Sequence, residues 1–91
     1  MKTAFVTGGT GGIGEAVVRA LCEAGFQTAV GYCNAKEKAN ALSAELGVLP
    51  VYCNTADAAC VNDAMQYVVQ AFGRLDLLVN CAGISEWGLF D

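Results

Sequence analysis

Apolar residues along this chain come in two rhythms. Four short, nearly continuous runs (Thr3 to Thr7, Gln27 to Tyr32, Val48 to Cys53 and Leu75 to Asn80) read as strands. The stretches between them repeat at helical spacing instead. Ile13, Ala16, Val17, Ala20, Leu21 and Ala24 recur at i, i+3, i+4, i+7, i+8 and i+11, which predicts one apolar stripe on a first helix with Gly25 as its C-cap. A second helix carries Ala35, Ala39, Leu42 and Leu46 on one face and stops at Gly47. Asp57 can cap a third, with a stripe of Val61, Ala64, Met65, Val68 and Phe72 closed by Gly73. Pro50 interrupts the third strand, and a residue without an N–H belongs at a sheet edge.

The order βαβαβαβ predicts an α/β fold with a parallel sheet of the Rossmann-type, doubly wound kind. Unbroken apolar strands such as Leu77-Leu78-Val79 agree, because parallel strands are buried on both faces. Right-handed crossovers then give the strand order 3-2-1-4, with a topological switch between strands 1 and 4 where ligands of such sheets bind. A complete dinucleotide fold has two mononucleotide halves. Residues 1–91 supply the N-terminal half plus strand 4, which leaves strand 4 as a bare edge and one face with a single helix. The chain closes on apolar Trp87-Gly88-Leu89-Phe90 before Asp91. The expectation is a fragment of a longer protein, with a homo-oligomer that hides the missing surfaces as the competing explanation.

Charge narrows the function classes. Nine acidic and five basic residues among 91 give a net charge of -4, and 55% hydrophobic residues exclude disorder. No charge-free window exceeds 12 residues, too short for the roughly 20 of a membrane helix, and no signal peptide fits the first apolar run. An acidic chain without a basic cluster is a poor nucleic-acid binder. The five cysteines are odd in number, have no C-x-x-C spacing and stand in a chain without histidine. That is no zinc-ligand pattern, and free thiols in apolar patterns predict a reducing, cytoplasmic setting.

The chemistry lies in Thr7-Gly8-Gly9-Thr10-Gly11-Gly12-Ile13-Gly14, between the first strand and first helix. Glycines there permit a tight turn and let backbone N–H groups approach a pyrophosphate at the positive end of the helix. Three glycine fingerprints fit by spacing: Gly9-x-Gly11-x-x-Gly14, Gly8-x-x-Gly11-x-x-Gly14 and Gly8-x-x-x-Gly12-x-Gly14. No Lys-Ser/Thr follows the last glycine, so it is not a P-loop. A second signal, Asn80-Cys81-Ala82-Gly83, ends strand 4 beside this loop in the expected sheet order. Together, Thr7-Gly8-x-x-x-Gly12-Ile13-Gly14 and Asn80-x-Ala82-Gly83 resemble the short-chain dehydrogenase/reductase family in its ordinary branch. That branch has Asn-Asn-Ala-Gly where this chain has Cys81 second. The resemblance covers nearly the whole chain, and the text is most similar to 3-oxoacyl-carrier-protein reductases and acetoacetyl-CoA reductases.

The resemblance implies a nicotinamide dinucleotide held at matching positions. Gly8, Gly12 and Gly14 would shape the loop, with Thr10 and Ile13 meeting the phosphates and ribose. Asn54 and Thr55 would hold the adenine, Ala82 and Gly83 would fall along the nicotinamide-side ribose, and Asn80 belongs to the same cofactor-binding set. The plain alternative for Asn54 and Thr55 is a loop entering the Asp57-capped helix. Cofactor choice follows from charge. An acidic residue about 20 positions past the glycines selects NAD through the ribose 2′-OH, but that position is Asn34, and Phe26 to Lys36 holds no Asp or Glu. Asn34 with Lys36 nearby tolerates a 2′-phosphate, which favours NADP, although the glycine loop lacks a basic residue and NAD stays open.

The family's catalytic Tyr-x-x-x-Lys spacing occurs once, as Tyr32 and Lys36, but at the end of strand 2. The family places the pair on a helix well beyond strand 4, and Ser85 likewise comes too early to be its catalytic serine. No catalytic residue is therefore expected among these 91. The reading is the cofactor half of an NADP-dependent reductase acting on a ketone such as a 3-oxoacyl thioester. The alternative is a non-catalytic nucleotide-binding module that self-associates.

Overall fold

Seven elements follow one another in the computed structural model, which describes residues 1–81: β1 (Thr3–Thr7), α1 (Gly12–Glu23), β2 (Gln27–Tyr32), α2 (Lys36–Leu46), β3 (Leu49–Tyr52), α3 (Ala58–Phe72) and β4 (Leu77–Asn80). The four strands are parallel and lie in the order β3-β2-β1-β4. The crossover rule thus placed every strand correctly. In register, Val6 sits opposite Val30 of β2 and Val79 of β4.

The sheet divides two cores by strand alternation. Phe5, Ala29, Val51 and Cys53 point to one face and pack with Ala64 and Val68 of α3. Val6, Val30 and Val48 point to the other, against Val18 of α1 and Leu42 of α2. Phe5, Val6, Val18, Val30 and Val68 are wholly buried, each contributing about 1.5–3 kcal/mol. All five residues of β1 are buried, as a central parallel strand requires.

Element ends show their causes. Asp57 caps α3 by accepting from the N–H groups of Ala59 (3.0 Å) and Cys60 (3.3 Å). Gly47 and Gly73, both left-handed, close α2 and α3 as expected. At the end of α1 the C-cap is Ala24, not Gly25, which takes the next position with φ of 90°. There Gly25 N–H reaches the Cys22 carbonyl and Phe26 N–H the Leu21 carbonyl, the two bonds of a Schellman turn. Pro50 lies on edge strand β3. Because Cys53 donates inward to the Tyr32 carbonyl (2.8 Å), alternation turns the Pro50 nitrogen outward, where no hydrogen is needed.

The expected stripe on α1 is rotated. Val17, Val18, Leu21 and Cys22 pack inward, whereas Ile13, Ala16, Ala20 and Ala24 are exposed. Gly14 is buried and sets this rotation, since the helix meets the glycine loop through it. Polar ties finish the frame. Arg19 bridges Glu15 (2.9 Å) and Glu45 (2.6 Å), and Lys38 also reaches Glu15 (2.9 Å), joining α1 to α2. At the amino ends of β1 and β4, the Asp76 carboxylate accepts from the Thr3 N–H (2.8 Å) while Thr3 Oγ1 donates to the Arg74 carbonyl (2.8 Å). Among the described residues no helix is long and apolar enough to cross a membrane.

Candidate dinucleotide site

The glycine loop runs from the carboxyl end of β1 to the first turn of α1. Gly8 adopts φ of 68°, a left-handed conformation, and its carbonyl accepts from Gly11 N–H at 3.2 Å. Gly9 N–H donates to the Gly31 carbonyl of β2 at 3.1 Å, so the loop is anchored to the neighbouring strand. A Cβ at Gly14 would lie 2.1 Å from the Gly8 carbonyl oxygen and 2.8 Å from the Gly9 Cα. Only glycine lets helix and loop approach this closely. At Gly12, by contrast, a Cβ would meet nothing within 4 Å.

The first intrahelical bond of α1 runs from Glu15 N–H to the Gly11 carbonyl, and Gly11 offers no side-chain cap. The N–H groups of Gly12, Ile13 and Gly14 therefore precede the helical ladder and carry the positive end of the helix dipole. This is a cradle for an anion, and the open space beside Gly12 is where one could approach. The residues fit a pyrophosphate. Ile13, 57% exposed at the same turn, offers an apolar surface next to the cradle, and Thr10 is half-buried within the loop.

The switch point brings the second motif alongside. Buried Thr7 donates through Oγ1 to Asn80 Oδ1 at 2.8 Å, and Cys81 N–H reaches the Thr7 carbonyl at 2.9 Å. The loop and the end of β4 thus share one anchor. Burial pushes the Cys81 thiol up, so it stays neutral beside this anchor. A cavity of about 390 Å³ opens next to it, lined in part by Thr7, Thr55, Met65, Leu78 and Asn80.

Asn54 and Thr55 follow β3. Asn54 Oδ1 accepts from Ala56 N–H at 3.1 Å and its carbonyl from Asp57 N–H at 3.0 Å, the turn that leads into the Asp57 cap. Asn54 thus shapes the local turn that leads into α3. Asn34 is exposed between β2 and α2. Of the two lysines beyond it, Lys38 is committed to Glu15, whereas exposed Lys36 forms none of the ion pairs among the described residues.

The structure therefore gathers Gly8, Thr10, Gly12, Ile13 and Gly14 in the loop, with Asn34, Asn54, Thr55 and Asn80 at the same carboxyl-end rim of the sheet. Ala82, Gly83 and Ser85 lie outside the described residues. Thr7, first residue of the glycine motif, was not among the expected contacts, yet its hydroxyl joins the two motifs. Its only sequence signal is a polar residue closing an apolar central strand. Tyr32 ends β2 and Lys36 begins α2, where the sequence places them. Among the described residues no group of three or more His, Cys, Asp or Glu could hold a metal.

The sequence pattern of the short chain dehydrogenase family matches residues 2–91. The chain belongs to that family. It is 44% identical over 90 residues to 3-oxoacyl-(acyl-carrier-protein) reductase FabG of Staphylococcus aureus, covering 93% of this chain and 37% of that protein. It is 36% identical over 89 residues to an acetoacetyl-CoA reductase of Paracoccus denitrificans, covering 98% of this chain and 37% of the relative. A short chain dehydrogenase of Burkholderia cenocepacia, solved in complex with NADP, superposes with a TM-score of 0.83 at 37% identity, over 87% of this chain and 34% of that one. The chain thus spans little more than a third of the length of the short-chain dehydrogenases it matches.

Proposed function

We propose that this chain is the dinucleotide-binding half of an NADP-dependent short-chain reductase, whose reaction passes hydride from NADPH to a ketone, a 3-oxoacyl thioester by class. The observation that carries the reading is the Gly14 contact. It presses the start of α1 onto the glycine loop, while beside Gly12 in the same turn the space is open for 4 Å around an added Cβ. There Gly12, Ile13 and Gly14 would bind the pyrophosphate, Asn54 and Thr55 the adenine, and Thr7 would hold Asn80 in place for the ribose. NADPH supplies the hydride, and the Ser, Tyr and Lys that polarise the carbonyl are assigned to the part of the protein beyond this chain. The named substrates of the two relatives support the thioester class. Neutral Asn34 and exposed Lys36, with the NADP complex of the Burkholderia relative, support NADP over NAD. Five free thiols support a reducing, cytoplasmic setting.

Calorimetric titration of the chain with adenosine 2′,5′-bisphosphate and with 5′-AMP tests the cofactor choice. A charge-assisted contact to the 2′-phosphate predicts at least tenfold tighter binding of the bisphosphate, about 1.4 kcal/mol. Equal or tighter binding of 5′-AMP overturns NADP. Turnover of NADPH with acetoacetyl-CoA by the 91-residue chain alone would overturn the assignment of catalysis elsewhere. A second reading, a self-associating module without catalysis, is favoured by the groove between α3 and edge strand β4, where Val61, Met65 and Leu78 present apolar surface. Sedimentation as a monomer would remove it.

A further inference from the structure

Three of the five cysteines converge on the rim where the adenosine end of the proposed site lies. Two directly precede proposed contacts in sequence: Cys33 before Asn34, and Cys53 before Asn54. The third, Cys60 in the first turn of α3, accepts through Sγ from the Asn54 N–H at 3.3 Å. Tyr52, half exposed and paired in register with Tyr32 next to Cys33, has its hydroxyl pKa raised by Cys33 first, then by burial and Cys60. Its ring meets Tyr32 edge-on at 6.0 Å.

The three thiols differ in access. Cys53 is 3% exposed, and burial, with Cys60 and Cys33 beside it, pushes its thiol up, which disfavours the nucleophilic thiolate. Cys60 is partly buried and engaged with the Asn54 backbone, whereas Cys33 is exposed. The cluster therefore has one exposed cysteine, Cys33, one buried, Cys53, and a third, Cys60, tied through its sulfur to the Asn54 backbone.

Resting on the NADP-site reading, we propose that the cluster of Cys33, Cys53 and Cys60 is a thiol-modification site, entered at Cys33, at which a low-molecular-weight disulfide closes the nucleotide site. The Cys33 sulfur attacks one sulfur of the incoming disulfide. A new S–S bond forms to Cys33, the old one breaks, and the leaving thiolate takes up the proton that Cys33 gives off. Cys33 is oxidised and the other half of the disulfide is reduced to a free thiol. An adduct there stands over Asn34 and beside the Asn54 turn, so modification and adenosine binding exclude each other.

The test uses glutathione disulfide as probe. Binding of adenosine 2′,5′-bisphosphate to the unmodified chain is measured first. Modification of Cys33 is then timed by peptide mass mapping, with and without nucleotide at ten times its Kd. Mutual exclusion predicts an about elevenfold slower reaction with nucleotide, because only the free fraction reacts. The modified chain should lose binding and regain it with dithiothreitol. Cys33→Ser should bind normally and resist inactivation, while Cys22→Ser should behave like the unaltered chain. If Cys33→Ser does not fold, the protection experiment on the unaltered chain decides. An unprotected Cys33, or a modified chain that still binds, overturns this inference and leaves the NADP reading standing. No nucleotide binding before modification overturns both.

Discussion

Replacing Gly14 by alanine tests the geometry on which the site rests. The added Cβ would stand 2.1 Å from the Gly8 carbonyl oxygen, 2.8 Å from the Gly9 Cα and 2.9 Å from the Gly8 carbonyl carbon. All three are backbone atoms, so no side chain can swing aside, and ordinary contact requires α1 and the loop to part by about 1 Å. Overpacking of this kind costs about 1–3 kcal/mol, and a wholly backbone clash belongs at the upper end. Alanine's better helix propensity returns at most about 1 kcal/mol. The net loss is about 2 kcal/mol, a roughly thirtyfold fall in the folded-to-unfolded ratio, with loss of adenosine 2′,5′-bisphosphate binding as the N–H cradle opens. Gly12→Ala is the matched control. Its Cβ meets nothing within 4 Å, so urea unfolding should leave its stability within about 0.5 kcal/mol of the parent. Its methyl group points into the space assigned to the phosphates, so it should still weaken nucleotide. A Gly14→Ala chain as stable as the parent, or a Gly12→Ala chain equally destabilised, would refute the close-approach argument.

Further outcomes follow from the same contacts. Thr7→Val removes the 2.8 Å bond to Asn80 and should cost about 1 kcal/mol in urea unfolding, with weaker binding of the whole dinucleotide than of its adenylate half. Asp57→Ala strips both N-cap bonds from α3 and should cost about 0.5–2 kcal/mol, while Asp57→Asn should restore most of it. Arg74 and the Thr3 N–H hold the Asp76 carboxyl below its usual range, and Lys38 and Arg19 do the same for Glu15. A depressed folded pKa means stability present above about pH 4 and lost as pH falls through the folded value. Urea midpoints should therefore drop from pH 6 to pH 3, and Asp76→Asn should flatten that drop; an unchanged slope would sink the assignment. Asn34→Asp places a carboxylate where the 2′-phosphate is expected, and titrations should then favour 5′-AMP over adenosine 2′,5′-bisphosphate.

Much of this fold was legible because the deciding signals are local. The Asp57 cap, Gly47, Gly73 and the outward nitrogen of Pro50 follow from neighbouring residues, and the handedness of crossovers carries them to the strand order. The face of α1 was not legible. Ile13, Ala16, Ala20 and Ala24 form as regular a stripe as Val17, Val18, Leu21 and Cys22, and alanine's small area weighs little for either rotation. What decides is the Gly14 contact, visible only once the loop folds back. The Thr7 bond to Asn80 joins residues 73 positions apart, so no spacing rule couples them. The same holds for the Thr3 and Asp76 clasp at the other end of these strands.

These two long-range ties explain how β4 can serve a site while standing at the sheet's edge. Among the described residues β4 pairs only with β1, and its four residues are at best half-buried. A short edge strand held by a ladder alone frays readily. Here Thr3 and Asp76 pin its start and Thr7 and Asn80 pin its end, each through a buried threonine on β1. The central strand is anchored in turn by both cores, through Phe5 on one face and Val6 on the other. Position at the switch point thus passes from the cores to β1, and from β1 by two threonines to β4. The apolar face of β4 need not be covered for Asn80 to stand beside the glycine loop.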